Sequence, residues 1–204
     1  MTGRPRAIGI VLLLAASSAA PARAQGFAVG VKGGVNFASQ HSSGPTAAPT
    51  LDTRVAGVVG GFVTLPLVSW LSVQAEGLYS MKGGKLKVSG IDTTLQIDYL
   101  EVPLLARLRL GSGPRHFYAA GGVSPAFRLR ARTATTFSSS TEEIDVADQV
   151  ERFDLGVTAG GGMQSGPLVF DGRYTQGLLD GDTDKTDGNR TKNRAIAVTV
   201  GFRF

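Results

Sequence analysis

The chain has 204 residues, no cysteine and a formal net charge of +5. The absence of cysteine excludes a disulfide framework and a cysteine-linked lipid anchor. Arg4, Arg6 and Arg23 lie at the start of the chain, and without them 18 basic residues face 16 acidic ones. A balance so close to neutral gives no reason to expect a nucleic-acid partner.

The first residues have the composition of an export signal. Two arginines precede an apolar run at 7–16, and residues 22–24 (Ala-Arg-Ala) have the small-x-small pattern that signal peptidase accepts. The run is shorter than the roughly 20 apolar residues that a membrane-spanning helix needs, which disfavours an uncleaved anchor. We predict cleavage before Gln25, so that 1–24 is a signal peptide and 25–204 a single domain.

The rest of the chain alternates apolar and polar residues with period two, and it shows almost no helical period. This pattern predicts eight strands, near 27–37, 54–65, 70–82, 94–110, 115–131, 152–164, 168–175 and 194–204. Glycine is frequent, with 28 residues, and its placement inside these segments indicates strands that approach closely or bend strongly.

The predicted connections alternate between long polar segments and tight turns. The long ones are 39–53, 83–93, 132–151 and 179–193, and the tight ones are 66–69, 111–114 and 165–167. Outer-membrane barrels have short periplasmic turns and longer extracellular loops, and their strands need about ten residues to cross. The sequence therefore predicts an all-β fold: an eight-stranded antiparallel up-and-down transmembrane β-barrel with four longer extracellular loops. Its predicted location is the outer membrane of the cell.

The fourth predicted strand indicates what the two faces of this barrel carry. In DYLEVPLLARLRL, at 98–110, hydrocarbon side chains alternate with Glu101, Arg107 and Arg109, and Pro103 predicts a bulge or kink. One face meets lipid, and the other meets a lumen that is narrow enough to be filled by side chains. Because isolated buried charges are costly, we predict a paired lumen charge network. Its members are Lys32, Glu76, Glu101, Arg107, Arg109, Arg128, Arg130, Asp154, Asp171, Arg173 and Arg203.

Several segments resemble a known family. YLEVPLLARLRL, at 99–110, resembles the signature strand of the PorT-like outer-membrane β-barrel family, a group of small barrels like those of the OmpA/OmpX type. GVKGGVNFAS, at 30–39, is similar to that family's first strand, DGRYTQGL, at 171–178, to its seventh, and VTVGFRF, at 198–204, to its closing strand. The resemblance covers essentially the whole chain after the signal. It carries only a barrel-building role to Tyr99, Leu100, Glu101, Val102, Pro103, Leu104 and Leu105.

The resemblance implies an eight-stranded barrel in the outer membrane of a Gram-negative bacterium, in a family mostly without assigned activity. A few relatives are tied to a secretion system or to surface functions, and a secretion role does not transfer on the motif alone. The apolar terminal strand with Phe202 and Phe204 is similar to the signature that the barrel-assembly machinery recognises.

The residues give little support for catalysis or cofactor binding. His41 and His116 have no His, Cys or carboxylate at ligand spacing, and Ser124 stands eight positions from His116 on one strand. We therefore expect no enzyme and no cofactor. The loop aspartates Asp180, Asp182 and Asp184 have part of a calcium-loop spacing, but Lys185 and Thr191 replace the expected Gly and Glu. The hypothesis of a metal site therefore rests on these three aspartates alone.

The predicted role is structural or surface-interactive through the loops. Expected partners are outer-membrane lipid and lipopolysaccharide, the barrel-assembly machinery, and an extracellular or envelope protein. Segment 132–151 is either a mobile loop or a hairpin that extends beyond the membrane. Two alternatives remain open: a narrow anion-preferring channel lined by Arg107, Arg109, Arg128 and Arg130, and a soluble periplasmic lipocalin-like lipid-binding barrel with apolar residues inside.

Overall fold

In a computed structural model, the chain forms an antiparallel sheet that closes on itself. The structure describes residues 26–43, 51–88, 91–137, 140–146, 150–179 and 190–204. The predicted signal peptide, and the acidic loop with Asp180, Asp182 and Asp184, lie outside these residues and stay predictions. Among the described residues, no helix is long and apolar enough to cross a membrane.

The described sheet has ten strands, which occupy eight positions around a closed ring. They are β1 (Ala28–Ser43), β2 (Leu51–Val68), β3 (Leu71–Val88), β4 (Ile91–Glu101), β5 (Leu104–Leu110), β6 (Arg115–Phe137), β7 (Ser140–Asp145), β8 (Phe153–Ser165), β9 (Leu168–Gly177) and β10 (Arg190–Arg203). Strands β4 and β5 are halves of one ring strand, and β7 and β8 pair with the same edge of β6 and so share one position, which leaves a ring of eight. The predicted fold is confirmed.

Pairing between the first and last strands closes the barrel. Strand β1 pairs with β10 from Gly30 opposite Arg203 to Ser43 opposite Arg190, and it pairs with β2 on its other side. The broken strand β4–β5 lies between β3 and β6, and β8 and β9 complete the ring. Each described ring strand thus has two neighbours, which satisfies the ladder groups that an open edge would expose to lipid.

Pro103 interrupts the fourth ring strand, but the register to both neighbouring strands is the same before and after it, so the predicted irregularity is a gap in the ladder and not a bulge. Strand β4 ends at Glu101 and β5 begins at Leu104, because proline has no N–H to donate to the ladder. Neighbouring backbone groups bridge the break: the N–H of Glu76 donates to the Pro103 carbonyl at 3.0 Å, and that of Val102 donates to the Pro125 carbonyl at 2.8 Å. The ring therefore stays closed across the proline.

The outer face of the barrel is apolar, and its inner face is polar. Outward side chains such as Val31 and Ile196 are 52% and 50% exposed, whereas the inward Gln74 and Glu76 are each 3% exposed. A soluble lipid-binding barrel needs apolar residues inside and polar ones outside. This distribution is the opposite, so the lipocalin-like alternative is wrong.

Two glycines show how closely the strands approach one another. A Cβ on Gly34 would lie 2.0 Å from the carbonyl oxygen of Val198 in β10, and one on Gly160 would lie 2.2 Å from that of Gly172 in β9. Any side chain at these positions would collide with backbone. The predicted role of glycine in close strand approach is confirmed here.

The tight turns lie together at one end of the barrel, which we call the turn end. They occupy 69–70, 111–114 and 166–167, and positive φ angles at Gly111 (97°) and Gly166 (57°) allow the chain to reverse within a few residues. Exposed aromatic side chains gather there: Phe27, Trp70, Phe117, Phe202 and Phe204. Aromatic belts mark the membrane–water boundary, so this end meets the periplasmic interface.

At the opposite end, the loop end, strands continue into the segments predicted as long polar links. Strand β6 has 23 residues, about twice the roughly 9–11 residues of a tilted crossing. Strand β7 pairs with its last part, from Arg132 opposite Asp145 to Phe137 opposite Ser140. Of the two interpretations of 132–151, the hairpin that extends the barrel is therefore confirmed.

Candidate functional site

Four buried charged side chains, Lys32, Glu76, Asp171 and Arg173, form what we call the central network of the lumen. The Glu76 carboxylate lies 3.2 Å from Lys32 Nζ and 2.8 Å from Arg173 Nη1. Asp171 accepts a hydrogen bond from Arg173 Nη2 at 2.9 Å, and its carboxylate also lies 2.5 Å from Arg173 Nε and 3.6 Å from Lys32 Nζ. Two carboxylates thus offset two cations within one shared cluster, which makes their burial tolerable.

The contact between Glu76 and Arg173 crosses the barrel. Three ring strands separate β3, which carries Glu76, from β9, which carries Arg173, in either direction around the ring. Strands so placed are on opposite walls, and only a lumen as narrow as that of an eight-stranded barrel allows their side chains to meet. The lumen is therefore closed at this level, which leaves the anion-channel alternative without an open path through it.

Arg107 connects the central network to uncharged neighbours. Its Nη1 donates to Gln74 Oε1 at 2.6 Å, and its guanidinium lies 3.8 Å from the centre of the Tyr118 ring. The Tyr118 hydroxyl in turn donates to Asp171 Oδ2 at 2.5 Å. Thr64 donates to the same Gln74 oxygen at 3.0 Å. Side chains from β2, β3, β5, β6 and β9 are thereby joined at one level.

A second ion pair lies nearer the loop end. Lys82 Nζ is 2.5 Å from Glu101 Oε1 and 5.6 Å from the centre of the Tyr99 ring. Between this pair and the central network a space of about 30 Å³ remains. Since one water needs about 10–15 Å³, that space has room for about two waters.

Arg128 and Asp154 are not part of the central network. Asp154 accepts a hydrogen bond from Asn193 Nδ2 at 2.8 Å. Arg128 is partly exposed at the loop-end side of β6. These two predicted members therefore line the lumen beyond the Lys82 pair.

The prediction that Arg130 faces the lumen is wrong. The register between β4 and β6 shifts between Asp98, which lies opposite Arg130, and Tyr99, which lies opposite Arg128. This irregularity uses one extra residue of β6, so the alternation of faces reverses beyond it. Ala131 becomes the inward residue, at 0% exposed, and Arg130 joins Asp98 on the outer face.

Arg109 and Arg203 lie at the turn end, outside the central network. Arg109 is exposed, and its Nη2 donates to the Gly113 carbonyl at 2.5 Å. Together with Arg203 and His116 it lines a cavity at the mouth of the lumen. The sequence predicted one paired network that included Arg109 and Arg203, whereas the structure places these two arginines in a separate group at the mouth of the lumen.

Three residues that hold the lumen together were absent from the predicted network. Gln74 and Tyr118 are neutral, and a search for charges overlooks them, although the period-two pattern places both on the inward face. Lys82 is charged and, by the same period-two pattern, also lies on the inward face. The alternation of Met81 and Lys82 in the sequence could therefore have identified it as a member of the network.

No catalytic arrangement is evident in the part of the chain that the structure covers. Ser124 lies opposite Gly156 and His116 opposite Gln164, so the two stay eight positions apart along one β6 face. The described residues contain no group of three or more His, Cys, Asp or Glu side chains suited to a metal ion.

Comparison with solved structures finds proteins of similar fold. Ail, the attachment invasion locus protein of Yersinia pestis, in complex with the heparin analogue sucrose octasulfate, is 15% identical, with a TM-score of 0.50 over 88% of this chain and 100% of that one. Neisserial surface protein A is 14% identical, with a TM-score of 0.47 over 88% and 100% of the chains. The outer membrane protease OmpT from Escherichia coli is 11% identical, with a TM-score of 0.39 over 88% and 96%.

No curated protein matches the chain. A family model, described as the outer membrane protein beta-barrel domain, matches residues 16–181, which is most of the sequence. The closed ring, the apolar outer face and this match agree with one another. The chain belongs to the outer membrane protein beta-barrel domain family.

Proposed function

We propose that this outer-membrane barrel acts at the cell surface, where its loop end binds an extracellular or envelope protein, while its filled lumen serves stability rather than transport or catalysis. The observation that carries the proposal is the β6–β7 hairpin. It extends about a dozen residues past a tilted crossing, which at about 3.3 Å per residue and a tilt of about 40° is roughly 30 Å.

The hairpin has a fixed root and an exposed outer part. Val146 and Val150 pack against the buried cluster of Ile97, Tyr99, Ala126 and Ala131. Farther out, Arg132 Nη1 pairs with Glu143 Oε2 at 3.2 Å, and Ile144 is 54% exposed. An apolar side chain between Glu143 and Asp145 on a rooted hairpin suits an interface with a partner that offers apolar and basic groups.

Several finer features belong to the proposal. The motif at 99–105 supports a place among PorT-like barrels, and the outward Arg130 at the loop end suits the phosphates of lipopolysaccharide. Phe204, whose N–H donates to the Val29 carbonyl at 2.8 Å, is 76% exposed beside Phe202, as a contact for the barrel-assembly machinery requires.

Export through a cleaved signal peptide is also part of the proposal. We expect the protein isolated from outer membranes to have the intact mass of a chain that begins at Gln25. A mass that still includes residues 1–24 would contradict the assigned cleavage site, because the apolar run would then have been retained.

The surface role is tested by shortening the hairpin. Arg132 lies opposite Asp145, so replacing 133–144 with Asn-Gly joins the two strands through a two-residue turn. We expect this variant to keep its shift between unboiled and boiled samples in SDS gels, since β4 loses only its β6 partners at 133–137 and every pair from Gln96 opposite Arg132 to Glu101 opposite Ala126 remains. Adhesion of bacteria displaying it to immobilised matrix proteins should fall to the level of cells without the barrel.

A matched variant separates the effect of losing the hairpin from the effect of losing one of its charges. Glu143→Gln removes only the exposed ion pair and should retain most of the adhesion. If the shortened barrel adheres as well as the full chain, or if the full chain does not adhere at all, the surface role of this hairpin is refuted.

The structural role of the lumen is tested at Glu76. Glu76→Gln leaves Lys32 and Arg173 sharing only Asp171, and breaking a buried ion pair costs about 3–5 kcal/mol. Glu143→Gln breaks an exposed pair, whose side chains are 43% and 56% exposed, and should cost at most about 1 kcal/mol. Urea unfolding in lipid vesicles, followed by Trp70 fluorescence, measures both.

The same preparation decides whether the lumen conducts. Because the contact between Glu76 and Arg173 spans the barrel, we expect the unaltered protein in planar bilayers to give no discrete current steps. Reproducible steps that change with Glu76→Gln would restore the channel alternative.

In the unfolding experiment, equal losses of stability in Glu76→Gln and Glu143→Gln would contradict the structural role of the network.

A further inference from the structure

A cavity at the turn end, which we call the mouth cavity, opens between the ends of the ring strands on the periplasmic side. It offers about 150 Å³ and is open on one side. Its basic lining residues are Arg107, Arg109, His116 and Arg203, and its other lining residues include Thr64, Ser72, Trp70, Tyr118 and Gln164. Within the described chain, no carboxylate is part of this lining.

The floor of the mouth cavity contains a buried guanidinium with an unsatisfied donor. Arg107 is 6% exposed, and although its Nη1 bonds to Gln74, its Nε has no hydrogen-bond partner among the described residues. An unpaired buried donor is costly, and one on a charged group costs more than one on a neutral group. A ligand that accepts from Arg107 would remove this cost.

The walls add positive charge from other strands. Arg109 is held over the opening by the Gly113 carbonyl, at 2.5 Å, while Arg203 comes from β10 and His116 from β6. Arg107, Arg109 and Arg203 are all close enough to His116 to act on it electrostatically. The two acids that act electrostatically on Arg107, Asp171 and Glu76, are already paired with Lys32 and Arg173 in the central network.

We propose that the mouth cavity is a binding site for a phosphate group, held by Arg107 at the floor and by Arg109 and Arg203 at the rim. A carboxylate offers two oxygens in one plane, whereas phosphate offers oxygens in tetrahedral directions, which fits guanidinium donors that approach from β5 and from β10. Guanidinium forks bind such oxyanions through charge-assisted hydrogen bonds, and a doubly charged anion offsets more of the positive charge.

The site is tested with inorganic phosphate and the refolded full barrel in a maltoside detergent, which contains no phosphate. We expect saturable binding with one phosphate per barrel in isothermal titration calorimetry. Arg109→Gln and Arg203→Gln, at the rim where the barrel can tolerate change, should each weaken the binding about tenfold. Arg107→Gln should weaken it at least as much, and the gel shift on boiling checks that every variant is folded.

Arg115 supplies the matched control. It is an exposed arginine at the start of β6, opposite Ser165, and it does not line the mouth cavity. Arg115→Gln should bind phosphate as the unaltered barrel does. No saturable binding, or equal weakening by Arg115→Gln, would overturn the proposal and reduce the effect to general surface charge.

Two sources of phosphate can be separated by the same titration. If the natural ligand is a lipid headgroup from the inner leaflet, dihexanoyl phosphatidic acid should bind at least about tenfold more tightly than inorganic phosphate, and Arg203→Gln should abolish the difference. If it is a free periplasmic phosphate, the two should bind alike. Either result supports the site, whereas binding of the lipid that all three cavity variants leave unchanged refutes it.

Discussion

Inside the hydrocarbon layer, backbone N–H and C=O groups can pair only with other groups of the protein, and this constraint governs the rest of the structure. Pairing of β1 with β10 satisfies it, because the ring then has no open edge along the described strands. Closure also divides the side chains of every strand into two sets. One set faces lipid and must be apolar, and the other faces a lumen whose width is determined by the number of strands.

The narrow lumen explains why charged residues from distant parts of the sequence meet. With eight strands, opposite walls are within reach of side chains, and the pairing of Glu76 with Arg173 uses this reach. Burial of these charges would be prohibitive in isolation, yet Lys32, Asp171 and the Tyr118 hydroxyl supply most of the missing partners. The barrel therefore has a polar core, enclosed by strands whose outer face is apolar and meets lipid.

A filled middle leaves the two ends as the places where the protein can meet other molecules. At the loop end, β6 and β7 continue the sheet beyond the lipid, and packing of Val146 against the buried cluster that contains Ile97 and Tyr99 fixes the hairpin root. At the turn end, basic side chains surround an open cavity without a carboxylate among its described lining residues. The two proposed sites thus lie at opposite ends of the barrel, the protein-binding hairpin at the loop end and the phosphate site at the turn end.

The period of two in the sequence by itself determined the strands, the apolar outer face and the ring, and Pro103 determined the break, because these depend on local chemistry. The period of two could not predict that Arg130 faces outward, since an extra residue in β6 reverses the inward and outward faces without altering the composition. Nor could it select the partners of Glu76, because Arg173 lies 97 residues away and only closure brings the two walls together. The mouth cavity has the same origin: its arginines belong to β5 and β10, and they share a site only because the ring places these strand ends around one opening.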